Sequence, residues 1–213
     1  MSISSKLKSL TRSIPTNVTL VAVSKTKSNN DILSAYHAGQ RIFGENKVQE
    51  LEKKHKELPN EIQWHMIGHL QTNKVKHIAP FISLIHSVDS LKLLQEINKR
   101  AKQNNRTIDC LLQVHIAEEA TKFGFRINEI EKVIERSKEF KNIKIAGIMA
   151  MATFTDNAKQ INKEFASINE LFESIRTKDI NTLSIGMSND YKLAIDNGSN
   201  MIRVGSAIFG NRN

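Results

Sequence analysis

Eight apolar, strand-length runs alternate with polar or amphipathic helical stretches along this chain, and few folds satisfy that order. The runs fall at residues 18–23, 40–47, 62–68, 84–88, 108–116, 143–151, 183–187 and 201–204. Helical stretches are read between them at 32–39, 48–57, 71–78, 91–104, 128–140, 158–176 and 190–197. The sixth of these carries Ile161, Phe165, Ile168, Leu171, Phe172 and Ile175 at helical spacing. Strands that alternate with helices pair in parallel, and eight such units imply an α/β, TIM-type (β/α)8 barrel at the compact end of its size range. An open doubly wound sheet is the alternative. It would announce a Gly-rich phosphate loop after the first strand. Here Ser24-Lys25-Thr26-Lys27 stands at that point, and neither G-x-x-x-x-G-K-[ST] nor G-x-G-x-x-G follows.

Residues 1–213 read as a single domain, because no linker, repeat or low-complexity tract divides them. Residues 1–30 lack Asp and Glu, as a transit peptide does. Ile3, Leu7 and Leu10 share one helical face, however, and removal of the whole stretch would take the first strand with it. An extra helix ahead of the barrel is therefore expected. The net charge of +9 permits a nucleic-acid partner, but the lysines are scattered among glutamates with no basic run interleaved with aromatics. No nucleic acid and no membrane is expected, since no apolar run approaches the roughly 18 residues of a span. The lone Cys110 lies in an apolar run and reads as a buried, inert thiol, which fits a cytoplasmic setting.

The strand ends carry Lys25, Asn46, His65 with His69, His86, His115, Met149 with Met151, Ser188 and Arg203, which a barrel would gather at one mouth. A lysine at the first strand end can attack a carbonyl and hold it as a Schiff base. Alone, among 31 Lys and Arg, it would read as a surface lysine. Two turns change that reading. Ser184-Ile185-Gly186-Met187-Ser188 and Arg203-Val204-Gly205-Ser206 put small residues at the seventh and eighth strand ends, just before helices. Each is an ordinary tight turn by itself, but these are the loops that hold phosphate in barrels of this kind. Glycine lets backbone N–H groups approach an anion, and serine adds a hydroxyl.

An imine-forming lysine opposite a phosphate cradle points to pyridoxal 5′-phosphate (PLP). Arg203 would face the pyridine nitrogen. Arginine stays charged and only donates, so the ring nitrogen would stay unprotonated and the ring would be a weak electron sink. The His65/His69 spacing is not H-E-x-x-H and brings no third ligand, so no metal is expected. The methionines at 149–151 read as packing.

Five segments resemble the YggS/PROSC family of pyridoxal phosphate homeostasis proteins. They are Ala22-Val23-Ser24-Lys25-Thr26-Lys27, Phe43-Gly44-Glu45-Asn46-Lys47-Val48-Gln49-Glu50, Trp64-His65-Met66-Ile67-Gly68-His69-Leu70-Gln71-Thr72-Asn73-Lys74, Leu183-Ser184-Ile185-Gly186-Met187-Ser188 and Ile202-Arg203-Val204-Gly205-Ser206-Ala207-Ile208-Phe209-Gly210. The resemblance implies a barrel like the amino-terminal domain of alanine racemase, with PLP joined to Lys25 and Asn46 near the ring. It implies that Ser188, Gly205 and Ser206 hold the phosphate and that Arg203 faces the pyridine nitrogen. It further implies a role in vitamin B6 balance without robust catalysis. Two departures stand out: His69 where the family has proline, and Ser206 where it often has threonine.

Two functions from different classes follow. One is a monomeric, non-catalytic protein that buffers PLP or delivers it to PLP-requiring apoenzymes. The other is an amino-acid racemase, which in this fold class adds a carboxyl-terminal domain and a catalytic tyrosine. The sequence stops three residues after Gly210, and Tyr36 and Tyr191 are its only tyrosines. The carrier is the expectation.

Overall fold

A computed structural model describes residues 2–116 and 123–210. The strands are β1 (Thr19–Val23), β2 (Ile42–Glu45), β3 (Gln63–Met66), β4 (Leu84–Val88), β5 (Ile108–Val114), β6 (Ile143–Ala150), β7 (Thr182–Ser184) and β8 (Met201–Val204). They close in sequence order into one parallel barrel, with β8 pairing back onto β1. The helices are α1 (Ile3–Ser13), α2 (Asn29–His37), α3 (Val48–Glu57), α4 (Val75–Ile78), α5 (Leu91–Gln103), α6 (Ile130–Ser137), α7 (Ala158–Ile175), α8 (Tyr191–Asp196) and α9 (Ser206–Phe209). Short 3-10 turns, Thr72–Lys74 and Ile127–Glu129, lead into α4 and α6.

Side chains alternate across each strand, so each strand feeds two cores. Val21, Leu84, Leu111, Met149 and Met201 pack together as the floor of the barrel interior. Leu20, Ala22, Phe43, Trp64, Ile85 and Leu183, of the opposite parity, join the larger core between sheet and helices. One strand contact demands glycine: a Cβ on Gly147 would stand 1.8 Å from the Thr182 carbonyl oxygen, so β6 and β7 could not meet.

The amino-terminal helix is present as expected. Ser2 caps α1, Leu7 and Leu10 are buried, and the helix packs against α2 and α9. Several boundaries differ from the sequence reading, three of them in ways that bear on the site. The helix after Lys25 starts at Asn29, because Ser28 is its cap and forms a capping box with Asp31. The helix expected at 71–78 is split into a 3-10 turn and one α turn. The seventh strand ends at Ser184, two residues before Gly186, which takes φ 95°. The loop expected at 117–125 lies mostly outside the described residues.

Candidate functional site

The last sheet bond of β1 is made by Ser24, whose N–H donates to the Gly44 carbonyl at 3.0 Å. Val21 faces the barrel interior, and Lys25 follows two positions after the end of β1, half-buried. Thr26 follows at φ 66°, a left-handed conformation costly for a β-branched residue. Side chains brace this turn from outside the barrel. The Ser24 hydroxyl donates to Glu45 Oε1 at 2.5 Å. Lys54 Nζ donates to the same oxygen at 2.8 Å and to the Ser24 carbonyl at 2.9 Å. The Thr26 N–H donates to Glu50 Oε2 at 2.9 Å.

On the other side of Lys25 the eighth-strand loop closes in. A Cβ on Gly205 would lie 3.2 Å from the Val23 carbonyl oxygen and 3.3 Å from Val23 Cβ, so only a bare backbone sits comfortably there. The Gly205 N–H donates to Ser188 Oγ at 3.1 Å, which ties the seventh-strand loop to the eighth. Lys27 Nζ donates to the carbonyls of Phe209 and Gly210 at 3.4 and 3.3 Å. Ser206 opens α9 and is exposed. Asn46 lies one residue past β2, half-buried, and its carbonyl oxygen is 2.5 Å from where a Cβ on Gly68 would stand.

Beneath this mouth runs a buried polar chain. Arg203, only 4% exposed, donates through Nη1 to the Ser184 carbonyl at 2.7 Å and to Ser184 Oγ at 2.6 Å, and through Nη2 to the Ala150 carbonyl at 3.0 Å. Ser184 Oγ is 3.1 Å from His86 Nδ1, and His86 Nε2 is 3.0 Å from His65 Nδ1. Arginine can only donate, so Ser184 accepts from it and passes its own hydrogen to His86 Nδ1. His86 then donates through Nε2 to His65, which assigns the tautomer of both rings. Burial pulls the His65 pKa down to about 3. It holds His86 well below the ordinary range, helped by His65 and Arg203. Burial also lowers Arg203 to about 10, with Asp190 acting the other way, so it remains charged at neutral pH.

Known proteins match this architecture along its whole length. A family model described as alanine racemase, N-terminal domain, matches residues 2–213. The pyridoxal phosphate homeostasis protein of Helicobacter pylori is 41% identical over 195 residues, covering 90% of this chain and 87% of that protein. The Aquifex aeolicus protein of the same name is 36% identical over 198 residues, covering 91% and 86%. The chain belongs to the pyridoxal phosphate homeostasis protein family. PipY of Synechococcus elongatus PCC7942, solved without PLP, matches with a TM-score of 0.92 at 34% identity, covering 98% of this chain and 100% of PipY. With PLP bound, PipY matches at 0.89 and 32%, with the same coverage.

Against this family background, the residues expected at the site divide into two sets. Lys25, Ser188, Gly205 and Ser206 lie on the β1, β7 and β8 loops, which touch one another; Asn46 lies on the adjoining β2 loop. Arg203 sits one layer deeper, inside β8. His86, expected at the mouth, is fully buried within β4 because the strand runs two residues past it. Met149 belongs to the floor. His69 turns outward to Asp89, Nδ1 to Oδ2 3.0 Å, and stacks on Phe123 at 4.0 Å. Among the described residues no group of three His, Cys, Asp or Glu is arranged to hold a metal. Glu45, Lys54 and Ser184 were missed. A glutamate in the apolar run Ile-Phe-Gly-Glu signals a buried partner, whereas Lys54 on a highly charged helix gives no such sign.

Proposed function

We propose that this chain binds PLP through an imine with Lys25 and serves PLP homeostasis, holding the cofactor and releasing it to apoenzymes. The observation that carries this is the contact between the β1 and β8 loops: Gly205 against Val23, with Ser188 bonded to Gly205. Lys25 is two positions after Val23, so the amine and the small-residue cradle share one wall.

The residues fit the cofactor. Ser188 accepts the Gly205 N–H and keeps its own hydroxyl hydrogen for donation to a phosphate oxygen. Gly205 and Ser206 bring backbone and hydroxyl donors to the same place. Asn46 adds an amide beside the ring. Arg203 uses three of its five N–H groups inside the barrel, which leaves at most two for a ring nitrogen. When bound, PLP supplies an aldehyde and an electron-withdrawing ring. The fixed charge of Arg203 disfavours a protonated ring nitrogen and so limits carbanion chemistry.

A non-catalytic, cytoplasmic, monomeric carrier built on one cofactor-binding domain is the reading these residues favour over a racemase. Tyr36 lies on α2, under the Arg41 guanidinium at 4.1 Å. Tyr191 opens α8 and packs against the outer core. Neither stands on the β1 or β8 loop. Among the described residues the exposed large apolar side chains, Phe123, Ile127, Phe154 and Met187, follow β5, β6 and β7 rather than lie on the long helices, which supports a monomer.

Titration with PLP tests the assignment. After incubation with PLP and removal of the unbound cofactor by gel filtration, the unaltered protein is expected to be yellow and Lys25→Ala colourless. A yellow Lys25→Ala protein would overturn it. Rapid loss of optical activity from a single-enantiomer amino acid would overturn the carrier reading alone.

A further inference from the structure

We propose that Glu50 and Lys54, one turn apart on α3 and braced by Glu45, are positioning residues that aim Lys25 into the barrel mouth. The proposal rests on Lys25 being the imine-forming lysine. It concerns residues that hold the β1 turn from outside the barrel and do not touch the cradle.

Lys25 lies two residues past Val23, where β1 ends. Its two flanking peptide groups are held by side chains. The carbonyl before it, from Ser24, accepts from Lys54 Nζ at 2.9 Å. The N–H after it, on Thr26, donates to Glu50 Oε2 at 2.9 Å. Lys54 and Glu50 are themselves joined at 3.3 Å as an i,i+4 pair. The third Lys54 hydrogen goes to buried Glu45, 2.8 Å away, whose Oε1 also receives the Ser24 hydroxyl. All three Lys54 donors are thereby used. A rigid helix grips both peptide planes of one residue, which fixes the direction of that residue's Cα–Cβ bond. The left-handed Thr26 shows that the turn is held rather than relaxed.

Electrostatics agree with an ionised Glu50 at neutral pH. Burial pushes the Glu50 carboxyl up, but the Thr26 N–H and Lys54 more than offset it, so its pKa lies below the ordinary value. Burial raises Glu45, with Lys54 pulling against it. Among the described residues Glu45 Oε2 has no hydrogen-bond partner, and Lys54 is the cation that compensates the carboxylate.

The test uses PLP titration of the full chain, with two readouts: PLP affinity, and the pH at which the yellow imine loses its proton. Glu50→Ala removes the acceptor for Thr26, whereas Glu50→Gln keeps an oxygen there. The expected result is an affinity for PLP about tenfold weaker in Glu50→Ala, a displaced imine midpoint, and substantial recovery in Glu50→Gln. A Glu50→Ala protein that melts earlier but keeps both the affinity and the midpoint of the parent would overturn the proposal. If Glu50→Ala does not fold, Lys54→Gln is scored on the same two readouts, with the same consequence. Failure of the unaltered protein to take up PLP would sink the imine assignment itself, whereas equal binding by parent and variants sinks only the clamp.

Discussion

Gly205 shows how much one missing side chain can decide. Its φ of −119° suits any residue, so only space demands glycine. In Gly205→Ala the new methyl would meet the Val23 carbonyl at 3.2 Å and push the β8 loop off β1 by a few tenths of an ångström. The protein should fold and melt nearly as before, with an affinity for PLP reduced about tenfold; unchanged affinity would separate the cradle from this contact. Ser188→Ala takes the acceptor from the Gly205 N–H and should cost about 1 kcal/mol of stability as well as affinity. Denaturant midpoints beside PLP titrations check both. At this scale the sequence was informative wherever a residue's chemistry is rare in its position, as with a lysine or a Gly-Ser pair at a strand end. It was silent on Lys54, because a lysine on a charged helix looks the same whether it reaches a buried carboxylate or water.

Among the elements, β4, β8 and α3 have the bounds that periodicity assigned, since each is flanked by clear breaks such as Pro59 after α3 and Asp89-Ser90 after β4. The apolar run 183–187 overstated β7, because hydrophobicity continues through Ile185 and Met187, past the last paired residue, Ser184. The start of α2 was misplaced for a different reason. Asn29, Asn30 and Asp31 are all good caps, but Ser28 and Asp31 form the reciprocal pair, with the Ser28 side chain accepting from the Asp31 N–H. Ser28→Ala should therefore cost about 1 kcal/mol, read as a lower denaturant midpoint. Asn30→Ala, on the exposed first turn, should change it by less than about 0.5 kcal/mol. Equal losses would place the cap elsewhere.

For the whole molecule, alternation carried the closed eight-stranded barrel, and the shared face of Ile3, Leu7 and Leu10 carried its extra first helix. The polar layer inside it was not legible, because burial of His65, His86, Ser184 and Arg203 against one another depends on register across four strands. That layer has a global consequence. Both imidazoles are neutral in the folded protein, whereas the unfolded chain protonates them near the ordinary 6.5. The unfolded state thus binds more protons below that value. Stability is full above it and declines as pH falls toward about 3, where His65 titrates in the fold. At about pH 5, His65 alone should remove about 2 kcal/mol relative to neutral pH, measurable by urea unfolding; a flat profile over that window would mean that the rings are not buried neutral. Everything functional rests on one bond, and the most direct measurement is borohydride reduction of the PLP-loaded protein followed by peptide mass mapping. The account predicts a single phosphopyridoxyl adduct on Lys25. An adduct on Lys27, Lys54 or any other lysine, with Lys25 unmodified, would contradict it.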